Sequence, residues 1–174
     1  RARHSMRTFM FTDIVGSTNL AEALGNEAWE RLLRWHDDTL RGLVASGGGE
    51  IVNSTGDGFF IAFDSARRGV DCAVSIQRAL RDHRASTGFA ISVRIGLHAA
   101  EANRRGTDYS GMGVHVAARV AALAGGGEIL VTAEFHSALP PSAQPAFTAT
   151  EPMAFKNVAQ RVATYRCVVE RVSR

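Results

Sequence analysis

This chain of 174 residues has no apolar run long enough to cross a bilayer and no signal-peptide pattern, so direct membrane contact and export are not predicted. Its two cysteines, Cys72 and Cys167, sit in apolar surroundings without metal-ligand spacing, which predicts reduced, buried thiols in a cytoplasmic protein. The basic residues are scattered, no stripe interleaves them with aromatics, and the formal net charge is only +3, so a nucleic-acid partner is not predicted. Lysine is nearly missing: of 20 basic residues 19 are arginine, and the one exception is Lys156. Repeats and low-complexity tracts are absent. So is an initiator methionine, and the start Arg-Ala-Arg-His predicts a piece of a longer protein, with residues 1–5 as linker and 6–174 as one domain. A hydrophobic content of 45% over this length is enough for a single core and leaves little room for a second.

Two aspartates stand out among what is present. The uncharged, β-forming stretch Thr8 to Thr12 predicts a buried strand, with Asp13 where it ends and Gly16-Ser17-Thr18 opening a helix that Ser17 would cap. Glu50 to Ser54 and Gly58 to Phe63 predict two strands joined through Thr55-Gly56-Asp57, a hairpin whose turn presents a second carboxylate. An ionised carboxylate at a buried strand end must be paired or bind a cation. Two of them beside the free amides of a helix start predict a metal and phosphate site.

Elsewhere, 3.6-residue periodicity predicts helices over 27–45, 65–84 and 114–124, with a brief one at 133–139. Strands are expected at 90–98 and 129–132, and closing strands at 147–150, 153–157 and 163–169; 103–108 reads as a polar loop. This order predicts an α+β fold, a ferredoxin-like βαββαβ core with additional C-terminal elements and its helices on one side of a mainly antiparallel sheet. His36 and His98, on a helix and a strand, read as structural.

FTDIVGST, STGDGFF, VRIGLHAAE and DYSGMGVHVAARVAAL, in this order and at these separations, resemble the catalytic domain of class III adenylyl/guanylyl cyclases, and the resemblance runs from about Met6 to Val169. It implies that fold and an enzyme that converts ATP to 3′,5′-cyclic AMP and pyrophosphate with two Mg²⁺ or Mn²⁺ ions per site. By resemblance Asp13 and Asp57 bridge the metals, the carbonyl of Ile14 adds a contact, and amides of Val15, Gly16, Ser17 and Thr18 hold the β- and γ-phosphates. Arg119 matches the transition-state arginine, and Lys156 matches a lysine on the terminal phosphates, although Asn157 replaces the usual following glycine. The family's catalytic unit is a head-to-tail homodimer with shared sites, metals from one chain and base, ribose and transition-state residues from the other.

Two positions depart from the family pattern. Asn53 stands where adenylyl cyclases carry the lysine that reads adenine with an aspartate, here Asp108. The Asn53 amide can donate to adenine N1 or flip to accept from guanine. His115 replaces the asparagine that orients the ribose. The expectation is ATP, because Asp108 would meet guanine O6 acceptor to acceptor. Two readings stay beside it: a cyclase-derived module that binds nucleotide without turnover, and a cyclase with relaxed ATP/GTP preference.

Overall fold

A computed structural model describes residues 4–88, 91–106, 108–141, 147–152, 154 and 161–169. The element order is β1 (His4–Val15), α1 (Ser17–Leu24), α2 (Asn26–Ser46), β2 (Glu50–Ser54), β3 (Gly58–Phe63), α3 (Ala66–Thr87), β4 (Ser92–Arg105), β5 (Asp108–Ser110), α4 (Met112–Leu123), β6 (Ile129–Thr132), α5 (Ala133–Ala138), β7 (Phe147–Ala149) and β8 (Thr164–Cys167). One sheet runs β2-β3-β1-β4-β6-β8-β7, with β5 paired to β4. Its first four strands are antiparallel neighbours in the order expected of a βαββαβ core, and β6, parallel to β4, begins the C-terminal addition.

α2 and α3 occur where apolar spacing asks for them. α2 buries His36, Leu40 and Val44, and α3 buries Val70, Ala73, Ile76 and Leu80, both at intervals that return to one face. α3 is capped by Ser65, whose hydroxyl accepts from the Arg68 amide at 3.1 Å, and ends at Gly88 with φ 77°. These helices cover Met10, Ile14, Phe59, Ile61, Phe63, Val93, Ile95 and Leu97.

α4 does not join them. The alternate residues Phe9 and Phe60 face the other way and pack with Ala117, so α4 lies on the opposite face and the expectation of helices on one side only is corrected. Close approach there depends on glycine: a Cβ on Gly96 would stand 2.2 Å from the Ala121 backbone nitrogen, and one on Gly113 would stand 2.4 Å from the Ala100 methyl. The reason is legible in β1, which is apolar on both faces and therefore needs cover on both.

Several boundaries also differ from expectation. β1 begins at His4, whose backbone pairs with Asn103, so pairing reaches into the segment expected as linker. It continues to Val15, past Asp13, because β4 pairs with it to that last residue, two positions beyond the end of its pairing with β3. The expected polar loop after residue 102 is instead the tip of β4 and the strand β5. That hairpin curls over the α4 face: the Tyr109 ring meets Phe9 edge-on at 5.3 Å, and Arg104 reaches Glu50 of β2 at 3.1 Å. Most of the expected strand 153–157 lies outside the described residues.

Candidate active site

The end of β1 and the β2–β3 turn are joined by main chain as well as side chain. The Ile14 N–H donates to the Asp57 carbonyl at 2.9 Å, and the Phe59 N–H donates to Thr12 Oγ1 at 3.1 Å. Inside the turn the Thr55 N–H donates to the Gly58 carbonyl at 2.9 Å. Gly58 is obligatory here, since a Cβ would stand 2.1 Å from the Thr12 carbonyl oxygen. Asp13 is the register partner of Gly58, so the end of β1 lies next to the turn that carries Asp57.

Each carboxylate is held through one oxygen. Ser17 Oγ donates to Asp57 Oδ2 at 2.9 Å; Arg94 Nη2 and Nε donate to Asp13 Oδ2 at 2.7 and 3.2 Å. Among the described residues neither Oδ1 takes a protein donor, and Asp13 keeps 38% of its side-chain surface. The donor set is therefore two hard anionic oxygens facing solvent. Mg²⁺ and Mn²⁺ prefer such a set, a few carboxylates plus the oxygens of a phosphate, to a closed protein cage, and the residues fit the pair of ions that the family pattern implies. No group of three or more His, Cys, Asp or Glu able to hold a metal occurs among the described residues.

Ser17 is not the helix cap. Gly16 takes that position in the left-handed region (φ 68°), and the Ser17 hydroxyl turns to Asp57 instead. This turns the first turn of α1, whose leading N–H groups have no intrahelical acceptor, toward the carboxylates. Ser17, Thr18, Ala21, Asn26, Trp29 and Asp57 line an open groove of about 380 Å³. Val15 beside it is exposed. A second hollow of about 230 Å³ holds Asp13, Thr55 and Arg94 against Ala118 and Ala122 of α4.

Arg94 was not singled out from the sequence. It is the register partner of Asp13, and its Nη1 also donates to the Ala122 carbonyl at 3.0 Å, so it ties the first aspartate to α4. The available signal was a charge inside the otherwise apolar strand Val93-Arg94-Ile95, where an arginine needs a partner.

The remaining candidates lie apart from this joint. His115 and Arg119 are one turn apart on α4 and half-buried, on the side away from its core residues Gly113, Val116, Ala117, Val120 and Ala121. Met112 and Leu123 on that same side are exposed. Asn53, on edge strand β2, and Asp108, on β5, are exposed, and the cluster containing Phe60 and Tyr109 underlies both strands. The Asp108 carboxylate accepts from the Tyr109 amide at 2.9 Å. Among the described residues no hydrogen bond or ion pair links Asn53, Asp108 or Arg119 to Asp13 or Asp57. Lys156 lies outside the described residues.

The family model for the adenylate and guanylate cyclase catalytic domain matches residues 1–168. The chain belongs to that family. It is 32% identical over 127 residues to the serine/threonine-protein kinase pkn2 of Myxococcus xanthus, which covers 72% of this chain and 15% of that protein. It is 28% identical over 153 residues to an adenylate cyclase of Lachancea kluyveri, covering 74% of this chain and 8% of that one. The chain spans no more than about a third of the length of the curated relatives it matches. A solved adenylate/guanylate cyclase/hydrolase from Silicibacter pomeroyi superposes with TM-score 0.83 at 27% identity, covering 96% of this chain and 98% of that one. Solved adenylyl and guanylyl cyclases fit the same fold about equally well, so the fold alone does not select the base.

Proposed function

We propose that this cyclase domain converts ATP to 3′,5′-cyclic AMP and pyrophosphate, with divalent ions held by Asp13 and Asp57, in a homodimer that shares its sites. The observation that carries the reading is the joint itself: the residue after Asp13 donates its amide to the Asp57 carbonyl, and the Asp57 carboxylate is bound by Ser17 in the first turn of α1.

In this reading Asp13, Asp57 and the Ile14 carbonyl hold Mg²⁺ or Mn²⁺, and the amides of Val15 to Thr18 receive the β- and γ-phosphates. The bound ions supply charge neutralisation at the triphosphate and make the 3′-hydroxyl easier to deprotonate. Arg119, delivered by the other subunit, places a fixed charge and forked donors on the α-phosphate oxygens as they gain charge during in-line attack. His115 donates to the ribose, and Lys156 meets the terminal phosphate. Asp108 accepts from the adenine amino group while Asn53 donates to N1, and guanine would set its O6 against the Asp108 carboxylate. The outward placement of Arg119, beside exposed Met112 and Leu123, supports the shared site, because these groups have a use only when a second surface covers them.

The test is incubation of the purified protein with ATP or GTP and Mn²⁺ or Mg²⁺, the cyclic product being separated by chromatography. Cyclic AMP as the main product is the expected result. Nucleotide binding without product would favour the regulatory-module reading, and equal yields from both nucleotides would favour relaxed preference.

A further inference from the structure

α4 ends without a cation of its own. Its last turn carries no basic residue, and its last carbonyls have no acceptor role left within the helix. That of Ala121 is reached by the Ala124 amide at 3.2 Å. That of Ala122 is taken by Arg94, whose Nη1 donates to it at 3.0 Å. A cation at a helix C-terminus satisfies a free carbonyl and opposes the negative end of the helix dipole. Here the cation comes from a strand.

The same guanidinium is committed on its other edge. Nη2 and Nε both donate to Asp13 Oδ2, at 2.7 and 3.2 Å, so all three nitrogens are used and the planar group is fixed from two sides. Strand alternation puts it there: Val93 and Ile95 belong to the core under α2 and α3, while Arg94 and Gly96 face α4. Gly96 sets how near α4 can come, through apolar packing. The directional bond from Arg94 fixes where the last turn stands relative to Asp13. Arg119 precedes Ala122 by three residues, so the turn that Arg94 holds is the one that carries Arg119.

We propose that Arg94 is a positioning residue for both active sites of the dimer: it orients Asp13 for the metals of one site and holds the α4 turn that delivers Arg119 to the other. The inference rests on the shared-site reading. In such a homodimer Asp13 and Arg119 of one chain work in different sites, and Arg94 is bonded to the elements that carry both.

The experiment uses mixed dimers of full chains. Asp57→Ala mixed with Arg119→Ala leaves one intact site, with metals from the Arg119→Ala chain and arginine from the Asp57→Ala chain. Arg94→Gln is then added to one chain or the other. Turnover is measured per mixed dimer, counted by native mass spectrometry, and Mn²⁺ binding with a non-cyclisable ATP analogue is followed by electron paramagnetic resonance. In the metal-giving chain, Arg94→Gln is expected to weaken Mn²⁺ binding about tenfold. In the arginine-giving chain it is expected to leave Mn²⁺ binding unchanged and to lower kcat about tenfold or more, as a misplaced catalytic group does. Arg94→Lys in the arginine-giving chain should lower kcat in the same way, since one ammonium cannot span both partners, and it serves in place of Arg94→Gln if that chain does not pair. Unchanged kcat with these variants in the arginine-giving chain overturns the inference, because Arg94 then serves Asp13 alone. If the mixture without any Arg94 substitution is inactive, the shared-site reading itself is wrong, and the inference ends with it.

Discussion

At the end of β1 the functional groups are already engaged with one another: Ile14 with the Asp57 carbonyl, Ser17 with the Asp57 carboxylate, Arg94 with Asp13. On the far side of α4 the reverse holds. Arg119 makes no hydrogen bond or ion pair among the described residues, and its neighbours Met112 and Leu123 are exposed apolar side chains. One region is pre-organised within the chain, while the other presents a cation that has no hydrogen bond or ion pair among the described residues, on a helix side that also carries exposed apolar side chains. Catalytic groups gain most from fixed geometry, so in the proposed shared site the second chain would be what fixes this arginine. Arg94 bonds to both, to Asp13 and to the Ala122 carbonyl of α4.

The largest effect tests that division directly. Asp57→Ala and Arg119→Ala are each expected to reduce cyclic nucleotide formation by a hundredfold or more, the order found when one transition-state donor is removed. Far-ultraviolet circular dichroism should stay unchanged, since neither side chain is in the core. Mixed together, the two dead chains should regain activity. Random pairing makes half the dimers mixed, and each mixed dimer has one intact site of two, so the yield should be about a quarter of wild type. A mixture that stays inactive would place both residues in one chain's own site and end the comparison.

Moving α4 without touching the carboxylates comes next. Gly96→Ala drives a methyl into the Ala121 backbone, with no flexible side chain there to yield. The expected loss is about 2–3 kcal/mol of stability, a fall of roughly 5–10 °C in Tm. Mn²⁺ binding should survive in the folded fraction while turnover falls, because the joint lies on other strands. Equal loss of both would mean that the two regions are one cooperative unit. Arg94→Gln should have a smaller effect, about tenfold in metal affinity, since it frees Asp13 from a bond that orients it but leaves the carboxylate in place.

The difference between the regions also explains what could be read from sequence. β1, the hairpin and the helices carry their own periodicity, so each could be located from residues within it, to within a few positions. Which face α4 covers could not be read from α4, whose small residues Gly113, Ala117 and Ala121 suit any close contact; that information sits in Phe9 and Phe11 of β1, eight elements earlier in the chain. The Ser17 hydroxyl was misassigned for a related reason. Capping is a local rule, and it yielded here to a carboxylate 40 residues away. Arg94 was hidden because its meaning is a cross-strand register, fixed only when β1 and β4 pair. The C-terminal strands β7 and β8 fell close to expectation, as short apolar runs between turns.

The smallest effect concerns the base, where neither region is committed. Asn53 is exposed on an edge strand, next to a bulge in the β2–β3 pairing, and Asp108 is exposed on the short strand β5. Asn53→Lys removes no core contact, and His115→Asn changes a half-buried position on the outer side of α4. Asn53→Lys should therefore melt within about 2 °C of wild type, as exposed substitutions do, and the activity test combines it with His115→Asn. What it changes is donor chemistry. A lysine ammonium only donates, so it can serve adenine N1 but cannot flip to accept from guanine N1–H as the asparagine amide can. The asparagine at 115 restores two amide donors where imidazole has one. The preference for ATP over GTP, measured as the ratio of kcat/KM values, should rise about tenfold, the range that one hydrogen bond of this kind discriminates. An unchanged ratio, with the fold intact, would show that neither side chain touches the nucleotide.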